Sequence, residues 1–218
     1  MTSSEYNPPR APWLSVIHRD DAILVLDKPS GLLTVPGKLE NLDDCLEKRA
    51  RGFYRNAMIA HRLDRDTSGV IIMGMTRKAH ADISQQFEQR GTRKTYVARV
   101  WGTVKEDSGN IDLPLSTDWE RRPRQKVNFE DGRAAQTEWE VITREEQTTL
   151  MRLTPLTGRS HQLRVHMLEL GHPIIGDVFY ATGDALAAAD RLQLHAESLG
   201  IRHPTEGDFI TFRSPCPF

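Results

Sequence analysis

The stretch His61-Arg62-Leu63-Asp64-Arg65-Asp66-Thr67-Ser68-Gly69-Val70 decides how this chain is read. Seven polar residues fall within nine positions, and they give way to the apolar run Val70–Met75. That pattern predicts a polar loop feeding a buried strand. Asp64 stands between Arg62 and Arg65, and nearby positive charge favours the ionised carboxylate. An ionised, held carboxylate is what nucleophilic catalysis by Asp requires. Thr67, Ser68 and Gly69 suit a tight turn that pins the loop against a sheet. Taken alone, these residues leave two readings open, a catalytic loop and a salt-bridged structural loop. His-Arg-x-Asp also occurs in protein-kinase catalytic loops, but no Gly-rich phosphate loop or Asp-Phe-Gly accompanies it here.

Outward from the loop, periodicity sketches the elements. Leu14–Lys28 is rich in Ile, Val and Leu and predicts one or two strands, ending at the turn Pro29-Ser30-Gly31. Leu32–Pro36 reads as a short extended piece. Asn41 is placed to cap a helix over Leu42–Ala50. Val70–Met75 predicts a buried strand, and Thr76 a cap for the helix that follows. Ala79, Ile83 and Phe87 share one face of that helix, with Gly91 as its terminator. Thr95–Trp101 alternates as a strand, with Tyr96, Ala98 and Val100 on one side. Ala134–Thr143 and Thr149–Leu156 form a predicted hairpin. Ser160 is placed to cap a helix carrying Leu163, Met167 and Leu170, closed by Gly171. A last strand covers Phe209–Phe212. Strands outnumber helices, so the fold class expected is α+β with a mixed, mainly antiparallel sheet, flanking helices and an active-site cleft.

The chain has 218 residues, 38% hydrophobic and 27% charged, a globular profile with no membrane-length apolar run. The N-terminus is polar and Pro-rich and lacks the pattern of a secretory signal. Cys45 and Cys216 form neither a C-x-x-C pair nor a disulfide framework, which points to a reduced, cytoplasmic compartment and away from a structural metal. Net charge is only −1, yet basic residues cluster at Arg90, Arg93 and Lys94, and again at Arg121, Arg122, Arg124 and Lys126. Acidic residues gather elsewhere, so a near-neutral protein can still present a basic face to a polyanion.

The decamer at 61–70 resembles the signature loop of the RluA family of pseudouridine synthases. Further motifs follow in the order that family shows them. Asp27-Lys28-Pro29-Ser30-Gly31-Leu32 is similar to its first motif, and Lys94-Thr95-Tyr96-Val97-Ala98 to its K-x-Y-x-A motif. Gly158-Arg159-Ser160-His161-Gln162-Leu163-Arg164-Val165-His166 resembles G-R-x-H-Q-I-R-x-H, with Leu163 in place of the common Ile. Gly176-Asp177 and Leu194-His195-Ala196 complete the set. The match runs from about Leu14 to about His203.

The resemblance implies an isomerase that converts uridine to pseudouridine in structured RNA without a cofactor. It assigns the nucleophile to Asp64 and an active-site tyrosine to Tyr96. Arg164 matches the arginine that pairs with the catalytic carboxylate, and Leu194 an apolar residue lining the uracil pocket. Arg62 is assigned to the space a flipped base vacates, since a uridine in a stem-loop must leave its stack before it can react. His61 and Arg65 are expected to contact phosphate or brace the loop. Arg121, Arg122 and Arg124 are expected to meet the RNA backbone, with Arg90 and Arg93 as a second strip. His161 and His166 read as hydrogen-bonding or RNA-contact residues, with no third ligand spaced to join them on a metal. The expected layout is a single catalytic domain over residues 1–218, with residues 1–12 as an N-terminal extension and no S4 domain. Asp118–Val127 resembles the dual-specificity branch of the family, implying a 23S rRNA hairpin and a tRNA anticodon stem-loop as partners, no membrane, and a monomer. Two other readings are an idle RNA-binding protein on the same scaffold and a nucleoside or glycoside hydrolase. A hydrolase needs a second dedicated carboxylate, and Asp66 is awkwardly placed for one.

Overall fold

The computed structural model describes residues 6–218. In chain order its elements begin with β1 (Val16–Arg19), β2 (Ile23–Lys28), α1 (Leu46–Phe53), β3 (Met58–Ile59), β4 (Ser68–Gly74) and α2 (Arg77–Glu88). They continue with β5 (Arg93–Trp101), β6 (Ser108–Asp112), β7 (Leu115–Thr117), β8 (Gln125–Val127), β9 (Gln136–Arg144) and β10 (Thr148–Pro155). The last are α3 (Gln162–Glu169), α4 (Gly183–Ala187), β11 (Leu194–Arg202) and β12 (Phe209–Arg213).

The described chain forms two compact units. One comprises Arg93 and the residues before it together with Ala196–Cys216. The other comprises Lys94–His195 with Pro217–Phe218. The boundaries of the units fall at the start of β5 and within β11.

In the first unit the strand order is β1-β2-β4-β11, with β3 beside β4 and β12 beside β11. The β2–β4 pairing is antiparallel and regular, running from Ile23 opposite Gly74 to Lys28 opposite Gly69. Every residue of β4 is buried, as the apolar run from Val70 predicts. Ile23, Val25, Val70 and Ile72 pack with Ala79 and Ile83 of α2 and with Leu199 and Ile201 of β11. Thr76 caps α2 by accepting from the Ala79 amide at 3.1 Å. At the other end the left-handed residue is Arg90 (φ 59°), not Gly91. The Asn41 cap does not form. A single 3-10 turn occupies Glu40–Leu42, and α1 begins after Cys45. Its first amides, Leu46 and Glu47, donate to the Leu33 and Thr34 carbonyls, so backbone takes the place of a capping side chain.

In the second unit the order is β5-β10-β9-β6, with β7 and β8 as a separate ribbon. The β9–β10 hairpin forms as predicted, with a bulge between Leu150 and Met151. Ala98, Val100, Met151 and Leu153 meet Leu163 and Met167 of α3 in the core, with Leu194. Ser160 does not cap α3. The N-cap is His161 in the left-handed region (φ 53°), with no side-chain cap bond. Gly171 (φ 88°) ends the helix segment as expected.

Candidate active site

Asp64 lies on the loop between β3 and β4, half-buried, with Arg62 exposed beside it and Leu63 buried. A second loop holds this one. Lys28, fully buried at the end of β2, donates from Nζ to the carbonyls of Pro29 (2.9 Å), Leu32 (2.6 Å) and Arg65 (2.8 Å). A buried ammonium is costly unless its donors are satisfied, and these carbonyls satisfy it. The Gly31 amide reaches the same Arg65 carbonyl at 2.9 Å, and the Ser30 hydroxyl donates to the Asp66 carbonyl at 2.7 Å. Thr34 clamps Leu63 from both sides, donating to its carbonyl (2.7 Å) and accepting from its amide (3.3 Å). The Thr67 amide closes the turn on the Asp64 carbonyl at 3.2 Å. Every backbone neighbour of Asp64 is therefore tied down, while Arg62 is left outward.

The flanking charges are arranged differently from the simplest reading of the sequence. Arg65 grips Asp66 through Nε (2.8 Å) and Nη2 (3.0 Å). His61 accepts the Ile72 amide on Nε2 at 3.1 Å and stacks on Phe87 with centroids 4.2 Å apart. Of the two roles expected for His61 and Arg65, these contacts match bracing of the loop. Gly69 (φ 113°) sits where β4 passes β11. A Cβ there would stand 2.7 Å from the Ala196 nitrogen and closer still to its carbonyl oxygen.

A strap before β1 backs the second loop. The Tyr6 hydroxyl donates to the Asp44 carbonyl (2.7 Å) and accepts from the Leu33 amide (3.0 Å). Buried Arg49 forks onto Asp44 and donates to the Pro9 carbonyl at 2.8 Å, with its guanidinium 4.0 Å over the Trp13 ring.

In the second unit, Tyr96 on β5 is half-buried and packs against the core cluster that contains buried Leu194. The same cluster takes Leu163 and Met167 from α3. Arg164 on α3 is only 2% exposed. Its Nε and Nη2 are bidentate on buried Asp177, at 2.7 and 2.5 Å. Asp177 also accepts the Phe179 and Tyr180 amides at 2.9 and 3.2 Å. Both of those rings lie about 5 Å from the guanidinium carbon, within cation–π range. The planar fork is thus locked in one orientation by a partner that carries its charge.

Gln162 fixes the approach to this helix. Its carbonyl oxygen accepts from Thr157 (2.7 Å) and the Arg159 amide (3.0 Å), and its amide donates to Gln136 (2.8 Å) and Thr137 (3.0 Å). His166 is fully buried, bonding the Thr137 hydroxyl through Nδ1 and the Leu113 carbonyl through Nε2. A carbonyl only accepts, so Nε2 carries a proton, and a ring this buried favours its neutral form. Burial pushes the His166 pKa down, against the opposing pull of the Leu113 carbonyl and Asp112. His166 is therefore a core residue rather than an RNA contact.

The basic ribbon β7–β8 carries Arg121, Arg122 and Arg124 in its turn. Arg121 donates to Asp118, a nearly buried carboxylate, at 2.8 Å. Arg122 lies 3.6 Å over the ring of Trp119. Arg93, from the second expected strip, sits 4.8 Å over Phe209.

Lys28 and Asp177 fall inside motifs quoted from the sequence, yet nothing in those motifs says what they hold. Thr34 and Tyr6 carried no signal, because each acts on chain distant in sequence.

A family model described as RNA pseudouridylate synthase matches residues 22–169. The chain belongs to this family. It is 51% identical over 219 residues to the dual-specificity RNA pseudouridine synthase RluA of Escherichia coli K12, with both chains covered in full. It is 48% identical to the protein of that name from Vibrio parahaemolyticus, covering all of this chain and 89% of the relative. Among solved structures, human RNA pseudouridylate synthase domain containing 1 superposes with a TM-score of 0.79 at 27% identity, covering 100% of this chain and 87% of that one. As a pseudouridine synthase the chain is an isomerase of RNA, and its α+β sheet is the family's fold. The idle-scaffold reading is not favoured. Among the described residues no helix is long and apolar enough to cross a membrane.

Proposed function

We propose that this pseudouridine synthase modifies two RNA classes, a 23S rRNA hairpin and the anticodon stem-loop of tRNA, with Asp64 as its nucleophile. Dual specificity is carried over from relatives of that name at about half identity over the full chain. The observation that best supports the nucleophile is the double clamp on its loop. Lys28 and Thr34 fix the backbone on either side of Asp64 from buried positions. A nucleophile gains most from being held in attack geometry before substrate arrives.

In the reaction, the bond from C1′ to N1 of uracil breaks, the base turns, and C1′ joins to C5, which gives up its hydrogen. The detached base must be retained, so the site has to exclude water. Tyr96 is the residue we assign to the base, through its ring and hydroxyl. Arg164 is assigned to the catalytic carboxylate, its plane fixed by Asp177. Leu194 is assigned to the apolar wall of the uracil pocket. Arg62, outward on the Asp64 loop, is assigned to the vacated stack. We place the enzyme in the cytoplasm, in keeping with a sequence whose two cysteines form no C-x-x-C pair and no disulfide framework, and we take it as a monomer.

The test is tritium release from uridine labelled at C5 in each RNA. Release from both supports dual specificity. Release from one keeps the enzyme and removes the second substrate.

A further inference from the structure

Trp119 is 70% exposed in the turn between β7 and β8. Burial explains most tryptophans in a fold, because the indole is the largest apolar side chain available. Here most of the ring stands in solvent, and a turn of this kind needs no indole. One face is covered, by the Arg122 guanidinium at 3.6 Å, and the high exposure leaves the ring open to solvent elsewhere.

The turn itself is rigid. The Asp118 amide donates to the Arg124 carbonyl at 2.9 Å, and the Arg121 and Arg124 amides close successive turns at 3.2 and 3.0 Å. Asp118 is spent on Arg121. At the base of the ribbon, the Gln125 amide donates to the Tyr180 hydroxyl at 2.8 Å, and that hydroxyl also bonds His161 Nδ1 at 2.7 Å. His161 is the N-cap of α3, so the ribbon is tied to the helix that carries Arg164. Around the ring the charge is Arg121, Arg122, Arg124 and Lys126 against Asp118 and Glu120, a net positive turn suited to a polyanion.

From these features we infer that Trp119, pre-stacked on Arg122, is a base-stacking platform for an unpaired nucleobase of the RNA loop. The base completes a base–indole–guanidinium stack. The inference rests on the stem-loop substrates proposed above. It also changes the part given to Arg122, which shapes the platform rather than meeting phosphate. Every base has a π-face, so such a platform tolerates two RNAs of different loop sequence.

The experiment measures binding of a fluorescein-labelled anticodon stem-loop by anisotropy, using the full chain carrying Asp64→Asn to prevent turnover. Each loop nucleotide is made abasic in turn. Trp119→Ala is expected to weaken binding about tenfold, within the range for one stacked base, and Trp119→Phe to restore most of it. One abasic RNA should lose the same tenfold with Trp119 present and nothing more with Trp119→Ala. Stacking carries no counterions, so the salt slope should be unchanged by Trp119→Ala. Affinity within twofold of the parent would overturn the platform, as would a loss that adds to every abasic site alike. An indole serving a protein partner instead would give the first of these results. The proposed reaction is read separately, by tritium release from protein with Asp64 intact. A Trp119→Ala enzyme should reach the parental kcat at saturating RNA with a raised KM, whereas failure of the parent to release tritium would sink the reaction and leave the binding result standing.

Discussion

The loop that carries Asp64, the proposed nucleophile, is held from buried positions by Lys28 and Thr34. Lys28 ties the Arg65 carbonyl to two carbonyls of its own turn, and Thr34 holds Leu63 by both backbone groups. Replacing Lys28 by Met keeps the length of the side chain and removes the donors, leaving buried carbonyls unpaired. We expect kcat to fall about 10- to 100-fold, since small displacements of a reacting group are expensive. KM should change little, and steady-state kinetics on a stem-loop RNA checks both. Thr34→Val should act in the same direction and more weakly. Unchanged kcat in both variants would separate the clamp from catalysis. Asp64 was legible as a candidate because charge and turn residues crowd around it. Thr34 was not, because its contact spans 29 residues and a hydroxyl in a loop announces nothing.

At the scale of elements, α3 depends on a carboxylate outside it. Asp177 carries the charge of buried Arg164 and collects the Phe179 and Tyr180 amides. Asp177→Ala leaves a buried guanidinium without this counter-charge and should cost about 3–5 kcal/mol, read as a lower midpoint in urea. A loss under 1 kcal/mol would mean that other groups compensate Arg164. The long periodic elements were readable because one face of each is buried, as in α2 and the β9–β10 hairpin. β11 was missed because it is buried on both faces while carrying His195, Glu197 and Ser198, so neither alternation nor an apolar run marks it. Both misread helix starts, at Asn41 and Ser160, share a cause. Each helix takes its first bonds from backbone or begins at a left-handed residue, so the nearby capping side chain is idle.

For the whole molecule, stability should fall on the acid side through two groups, His166 and Asp20. His166 is buried neutral, with its pKa lowered by burial. The unfolded chain therefore takes up a proton first, near the ordinary histidine value of about 6.5. The stability it contributes is complete above that pH and is lost as pH falls through the folded value. At Asp20, burial raises the carboxyl, but bonds from His18, the Ile23 and Ala22 amides and His203 outweigh it and hold it at about 2. Its contribution is complete above the unfolded value of 3.8 and is lost as pH falls through about 2. As pH falls below the ordinary histidine value, thermal midpoints should drop for the parent and stay flatter for His166→Asn; an equal drop in both would remove His166 as the cause. Asp20→Asn should be less stable at neutral pH and lose less than the parent below pH 3.8. Family and fold were legible because six spaced motifs lie in order along most of the chain. The division into two compact units was not, since its boundaries fall within β5 and β11 at no change of composition. The central claim is that Asp64 is the nucleophile, and the most direct measurement is tritium release from C5-labelled uridine in an anticodon stem-loop by the parent and by Asp64→Asn. We predict release by the parent, none by the variant, and equal RNA affinity and thermal midpoint for the two; substantial release by Asp64→Asn would contradict it.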